Sequence, residues 1–414
     1  MITVIGTGTA PGAPPDVGGA TLVAGARRHL AAAGLPPGTA RVELGPLAPA
    51  LDTIAAHLAA AGGHSARVVV LASGDPGFFG IVRALAERFG PGALHVRPSV
   101  PSVALAFARA GLPWDDAVVV SAHGRDPRTA VHVCRAHPKT AVLTGPGAGP
   151  AELGAALAGA GADRTLLVAT ALGTPGERIR RMSPAEAART AWPDPVSVVL
   201  CLAGSRTLAT AQRTLAGPPP GPAGWALPEE AFSHRDSMIS KSEVRALALA
   251  RLGPRLGDLL WDVGAGSGSV GVECARFGAA VTAVEQSADG AARCRANAAA
   301  HGVDLHVVHG TAPGALTALP DPDAVFVGGG GRELPGILDV CARRARRSVV
   351  VTLATLDRVP AARQALATGG LHTDGVLLHS SRLAPLPGEV SRLAATHPVF
   401  VLWGTRPGLQ GAAP

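Results

Sequence analysis

The chain of 414 residues has no tyrosine, and Phe and Trp bring its aromatic content to only 3%. Proteins that grip single-stranded nucleic acid usually stack bases on aromatic side chains. The formal charge of +7 would draw anions, but the missing aromatics argue for a small anion over a nucleic acid. Cysteine is sparse. Cys134, Cys201, Cys274, Cys294 and Cys341 form no C-x-x-C pair, which excludes the usual zinc and disulfide frameworks. They read as small buried hydrophobes in a reducing compartment. No apolar run approaches the roughly 18 residues of a membrane span. No basic leader precedes the first strand expected at 2–5. The expectation is a cytoplasmic protein with no membrane, metal or nucleic-acid partner.

What the chain does have is apolar bulk, 47% of its residues, enough for sizeable cores. Short β-branched runs at 67–72, 117–121, 140–143 and 196–202 alternate with Ala/Leu-rich stretches of helical character. This alternation predicts an α/β architecture with largely parallel sheets. It stops at AGPPPGPAG, 216–224, which reads as an extended linker. The predicted organisation is one domain over 1–205, a Pro/Gly-rich linker over 206–226 and a second domain over 227–414. The second half offers strands at 259–263, 280–285, 305–309, 324–327 and 349–353, then two more near 375–378 and 398–403. The last two have no long crossover between them, so an antiparallel pair is expected. That is a doubly wound, Rossmann-like arrangement.

The sharpest local signal is WDVGAGSGSVGVE, 261–273. A strand ends in Asp262, and Gly264, Ala265, Gly266, Ser267 and Gly268 lead into a helix. Glycines let the backbone turn sharply and approach a ligand, which then meets the free N–H groups of the helix start. A dinucleotide fingerprint would place its third glycine at 269, which is Ser269. The observed D-x-G-x-G-x-G resembles S-adenosylmethionine enzymes. The next strand ends in Glu285, 21 residues after Gly264, where a carboxylate can accept ribose hydroxyls. After the fourth strand comes DAVFVGGGG, 323–331. That glycine run lacks the polar-Pro-Pro-aromatic clamp of base-amine methylases and leaves room for a bulky substrate. Arg235, Lys241 and Arg245 ahead of the loop, and Arg332 after the run, are candidates for holding carboxylates.

Two family resemblances sharpen this reading. FSHRDSMISKSEVRALAL (232–249), the 261–273 loop and DAVFVGGGG together are similar to the precorrin decarboxylating methyltransferases, which have the class I fold. That likeness implies cofactor contacts from Ser240, standing for a threonine, and from Ala312. The family's G-D-A is Gly310-Thr311-Ala312 here, so an acidic adenine contact is absent. The first half carries VIGTGTA (4–10), LASGDPGFFG (71–80), RPSVPSVALAFARAGLPWDDAVVVSAHGRD (97–126) and TALGTPGERIRR (170–181). In this order the segments resemble the tetrapyrrole methylases, a two-lobed α/β fold. That resemblance implies a second cofactor site at Gly6, Gly8, Gly74, Asp75, Pro76, Ser102 and Ser121, with His123 towards substrate. Ala10 replaces the third glycine of the first loop. From the residues alone, Asp75 can equally be a turn former and His123 a structural loop residue.

Both resemblances imply one pathway, cobalamin biosynthesis. The implied reaction uses two S-adenosylmethionines per chain to methylate a precorrin at C5 and C15, removing the C12 acetate carboxylate. The macrocycle's meso carbons are enamine-like and the sulfonium methyl is already activated. Positioning alone can then supply about 7–11 kcal/mol. No triad or paired carboxylates need be sought, and a homo-oligomer is expected. Two rival readings stay open: an RNA methyltransferase, and a cofactor-binding protein with one inactive domain.

Overall fold

The structure is a computed structural model, and it describes residues 1–8, 15–60, 66–193, 196–208, 214–218, 220–235 and 239–408. Ala10, Ser237 and Met238 lie outside the described residues.

The first half builds two sheets. In one, β1 (Ile2–Thr7), β2 (Leu22–Gly25), β3 (Ala40–Glu43), β4 (Val68–Ser73) and β5 (Leu94–Arg97) lie in the order β3-β2-β4-β1-β5. All neighbours are parallel. Parallel strands covered on both faces need continuous apolar runs. Val68, Val69, Val70 and Leu71 are accordingly all buried. Strand β4 returns to lie between β2 and β1, so the carboxyl ends of β1 and β4 sit side by side, Thr7 opposite Ser73. In the other sheet, β6 (Val118–Ser121), β7 (Lys139–Leu143), β8 (Thr165–Thr170), β9 (Arg178–Met182) and β10 (Ser197–Leu202) run in the order β6-β7-β10-β8-β9. The pairs β8–β9 and β8–β10 are antiparallel.

The second half holds a seven-stranded sheet. Strands β11 (Leu259–Val263), β12 (Ala280–Glu285), β13 (Leu305–His309), β14 (Ala324–Val327), β15 (Ser348–Leu353) and β16 (His372–Leu378) are followed by a two-stranded excursion, β17 (Ser381–Leu386) and β18 (Val390–Ala395). Strand β19 (Val399–Thr405) closes the sheet in the order β13-β12-β11-β14-β15-β19-β16. Strands β11 to β15 are parallel, while β19 runs antiparallel to both β15 and β16. Side chains alternate to feed a core on each face. Trp261, Val263, Val325, Val327, Val349 and Val351 pack with Ile337 and Leu338 on one side. Leu260, Phe326 and Val350 pack with Val244, Leu249 and Val270 on the other. Each fully buried Val or Leu contributes about 1.5–3 kcal/mol.

This is the doubly wound class I fold expected from the sequence, and the first half is the expected two-lobed α/β arrangement. The β17–β18 hairpin was not anticipated. The chain divides into two compact units. One comprises 1–125, 141–154 and 164–216, and the other 126–140, 155–163 and 217–414. The last change of unit falls inside the stretch expected as linker.

Candidate functional site

In the second unit, the Asp262–Ser269 turn opens a cavity of about 500 Å³ at the carboxyl ends of β11, β12 and β14. Gly264 and Ala265 both donate N–H groups to the Val284 carbonyl, at 2.9 and 3.2 Å, pinning the turn to β12. Gly264 has φ +69°, and a Cβ there would meet the Gly329 backbone at 3.1 Å. The two glycine segments therefore pack backbone to backbone, an approach that a side chain would crowd. At Gly266 the position of a Cβ is open space, so that backbone faces the cavity.

Glu285 fixes the edge of this cavity. One carboxylate oxygen accepts from the Gly266 N–H at 2.8 Å and the other from the Ser287 N–H at 2.9 Å. The side chain is thereby aimed with further lone pairs available to a diol. Asp262 lies beneath. Its Oδ2 accepts from the Gly271 N–H at 2.9 Å, and Oδ1 has no partner among the described residues. Burial pushes this carboxyl up to about 7, the Glu285 charge adds to the rise, and the Gly271 bond opposes it.

Of the residues expected here, Gly264, Gly266, Ser267, Glu285, Ala312, Arg235 and Arg332 line the cavity. Thr311 lines it too. Ala265 and Gly268 shape the turn, through a 2.7 Å Gly268 N–H to Ala265 carbonyl bond. Ser240 and Lys241 are not among the lining residues; Ser240 offers its carbonyl to Arg245 at 2.6 Å. Arg245 must be corrected. Its side chain is fully buried, pairs with buried Glu273 at 3.2 Å and donates to the Leu227 and Ser240 carbonyls. Its guanidinium carbon also lies over the Phe232 ring, 4.9 Å from the centroid. It holds the pre-loop segment against the helix Ser269–Arg276 and cannot reach a substrate.

Sequence reasoning missed Asn297 and Arg293. Buried Asn297 donates to the Ser267 carbonyl at 2.7 Å and exchanges bonds with Ser233, so it ties the turn to the segment carrying Arg235. Its signal was a lone amide in the alanine-rich helix Ala288–Ala300. Arg293, on the same helix, lines the cavity.

In the first unit, a Cβ on Gly6 would lie 2.1 Å from the Gly74 carbonyl and 2.7 Å from the Ser99 nitrogen. A Cβ on Gly74, at φ +61°, would meet Pro101 and Ser102 backbone at 3.2 and 3.6 Å. Gly6, Gly74, Pro76 and Ser102 are therefore gathered at one point. Asp75 forms a local turn, accepting from Gly77 N–H at 2.8 Å. Gly8 is exposed at the end of β1. Ser121 ends β6 in the other sheet. His123 is anchored by the Thr144 carbonyl at 3.2 Å.

Comparison with known proteins bears on both halves. A family model described as tetrapyrrole (corrin/porphyrin) methylases matches residues 17–188. One described as a precorrin methyltransferase domain matches 230–401. A protein of Sinorhizobium sp, precorrin-6Y C(5,15)-methyltransferase [decarboxylating], is 39% identical over 76% of this chain and 73% of its own length. The protein of that name from Mycobacterium tuberculosis H37Rv is 34% identical over 95% of this chain and 93% of its own. This chain belongs to that family. A probable cobalt-precorrin-6B C(15)-methyltransferase (decarboxylating) of Pyrobaculum calidifontis is 36% identical over 42% of this chain and 93% of its own length. Within the precorrin-6Y C5,15-methyltransferase family, then, the chain matches one methylase model in each half. Use of S-adenosylmethionine accords with both. The glycine cradle and the Glu285 carboxylate are a fitting donor set for a nucleoside with a sulfonium arm.

Proposed function

We propose that the chain methylates precorrin-6Y at C5 and C15 and removes the C12 acetate carboxylate in the cobalamin pathway, giving precorrin-8X, with one S-adenosylmethionine site in each unit. The observation that carries this reading is the Glu285-edged, glycine-lined cavity with Arg235, Arg293 and Arg332 in its wall. It joins a nucleoside acceptor to cations suited to a polycarboxylate. We assign C15 methylation and decarboxylation to the second unit and C5 methylation to the first. A relative spanning only 42% of this chain is named for the C15 reaction with decarboxylation, which supports one module carrying both.

When bound, S-adenosylmethionine supplies an activated methyl group. The protein's part is to orient and to exclude water. Glu285 and the Gly264–Gly268 backbone hold the nucleoside end, and the arginines hold substrate carboxylates. The bare backbone of Gly328–Gly331 leaves space for the macrocycle edge. The five free, buried cysteines suit a cytoplasmic setting. No helix among the described residues is long and apolar enough to cross a membrane. A homo-oligomer is supported by Leu383 and Leu393, opposite each other on the β17–β18 hairpin and 77% and 68% exposed.

The test is incubation of the full chain with precorrin-6Y and S-adenosylmethionine, followed by mass spectrometry. A gain of two methyl groups with loss of one carbon dioxide is expected. Methylation of RNA, or an unchanged tetrapyrrole mass, would overturn the reading.

A further inference from the structure

The loop after the Gly74-Asp75-Pro76 turn carries a feature that folding does not require. Phe78 and Phe79 are 36% and 50% exposed, in a chain with only 8 phenylalanines. Phe79 has φ +53°. A bulky side chain in the left-handed region costs on the order of 1 kcal/mol and persists where surrounding structure enforces it. Among the described residues, the other non-glycine positions with positive φ are Ala171, Ala226 and Glu389, so Phe79 is the one aromatic held this way.

What enforces the strain is visible. The Phe78 N–H bonds the Asp75 carbonyl at 3.1 Å, and the Val82 N–H returns to the Pro76 carbonyl at 3.1 Å. A Cβ on Gly80 would lie 2.3 Å from that Pro76 carbonyl. The loop is wound tightly onto the turn, and the winding lifts the Phe79 ring outward. There it meets Phe78 edge to face, with centroids 5.0 Å apart and planes at 77°. The guanidinium of exposed Arg125 stands over the Phe79 ring, 5.8 Å from its centroid. Arg125 shares a loop with His123, whose bond to the Thr144 carbonyl fixes that loop. A guanidinium at this distance from a ring can make a cation–π contact and still offer N–H donors to a carboxylate.

We propose that Phe79 and Arg125 form a platform for a reduced polycarboxylate macrocycle, Phe79 lying against one of its conjugated segments and Arg125 binding a peripheral carboxylate. This deepens the reading above and rests on it: the platform positions the tetrapyrrole for the C5 step in the first unit. Both residues are positioning groups and transfer no proton.

The test uses the full chain, whose second unit supplies an internal control. Phe79→Gly, Phe79→Leu and Arg125→Ala are compared with wild type by mass spectrometry over a range of precorrin-6Y concentrations. The apparent KM for the C5 methyl should rise about tenfold in each variant, as expected for loss of a ring or cation contact. Its kcat should stay nearly unchanged. The C15 methyl and carbon dioxide loss should proceed at the wild-type rate. Phe79→Gly relieves the backbone, so its thermal midpoint should equal or exceed wild type. An unchanged KM in the glycine variant would overturn the platform. So would a wild-type KM in Phe79→Leu, or a drop in thermal midpoint with Phe79→Gly, which would make the ring a packing element. Failure of wild type to add a C5 methyl would instead sink the underlying reading, and this inference with it.

Discussion

Two side chains of the second unit show how charge behaves out of water. Arg245 and Glu273 are both fully buried and matched. Glu273 also holds Arg276 at 3.1 Å and the Leu227 N–H at 2.7 Å, so Arg245→Ala weakens its compensation without stranding it and should destabilise the protein by about 3 kcal/mol in urea denaturation, the low end for a broken buried pair. An exposed substrate contact would instead leave stability intact. Its role was illegible in sequence because a basic residue before a glycine loop looks the same whether it faces solvent or the interior. Asp262 is the opposite case, a carboxyl with one unpartnered oxygen. Burial, helped by Glu285, lifts it from its ordinary 3.8 to about 7. The native state thus keeps a proton that the unfolded chain releases. That stabilisation is full below pH 3.8 and is lost as pH rises through 7. Asp262→Asn keeps an acceptor for Gly271 and removes the titration. Between pH 5 and 8, wild type should lose about 2–3 kcal/mol more stability than this variant, read by urea midpoints at each pH.

At the scale of elements, the hairpin is the part with least internal support. A two-stranded ribbon is marginal in water by itself. This one is tethered by Arg382, which reaches Glu229 at 2.6 Å and Glu243 at 2.7 Å. The bond to Arg382 holds the Glu229 carboxyl down at about 2. Stability from this pair is present above the ordinary carboxyl value of 4.5 and fades as pH falls toward 2. Exposed Leu383 and Leu393 are where the proposed homo-oligomer can be tested. Replacing both by Asp should lower the mass seen by light scattering while leaving the far-ultraviolet spectrum unchanged; an unchanged mass would remove the hairpin from the interface. The hairpin was invisible in sequence for a physical reason. SRLAPL and VSRLAA have no buried face, so no apolar periodicity marks them. The strand LLWDV, buried throughout, was legible from its run and from the glycines that end it. The cavity was half legible. Glycine spacing announced the turn and Glu285, but Asn297 and Arg293 reach the site through helix geometry that linear spacing does not display.

For the whole molecule, the decisive feature is that the two glycine-built turns belong to different units and different folds, so they can be silenced one at a time in the intact chain. Gly6→Ala puts a methyl group 2.1 Å from the Gly74 carbonyl. The turn must open, and the cofactor site proposed for the first unit should be lost. Glu285→Ala removes the acceptor that the Gly266 and Ser287 N–H groups hold in place. Titrated with S-adenosylhomocysteine in a calorimeter, wild type should bind two equivalents per chain and each variant one. The products should part in the same way. Gly6→Ala should still lose carbon dioxide and gain a single methyl, whereas Glu285→Ala should retain the carboxylate. If Gly6→Ala also abolished decarboxylation while keeping one bound equivalent, the two steps could not be divided between the units, and the reaction would have to be assigned to the chain as a single indivisible site.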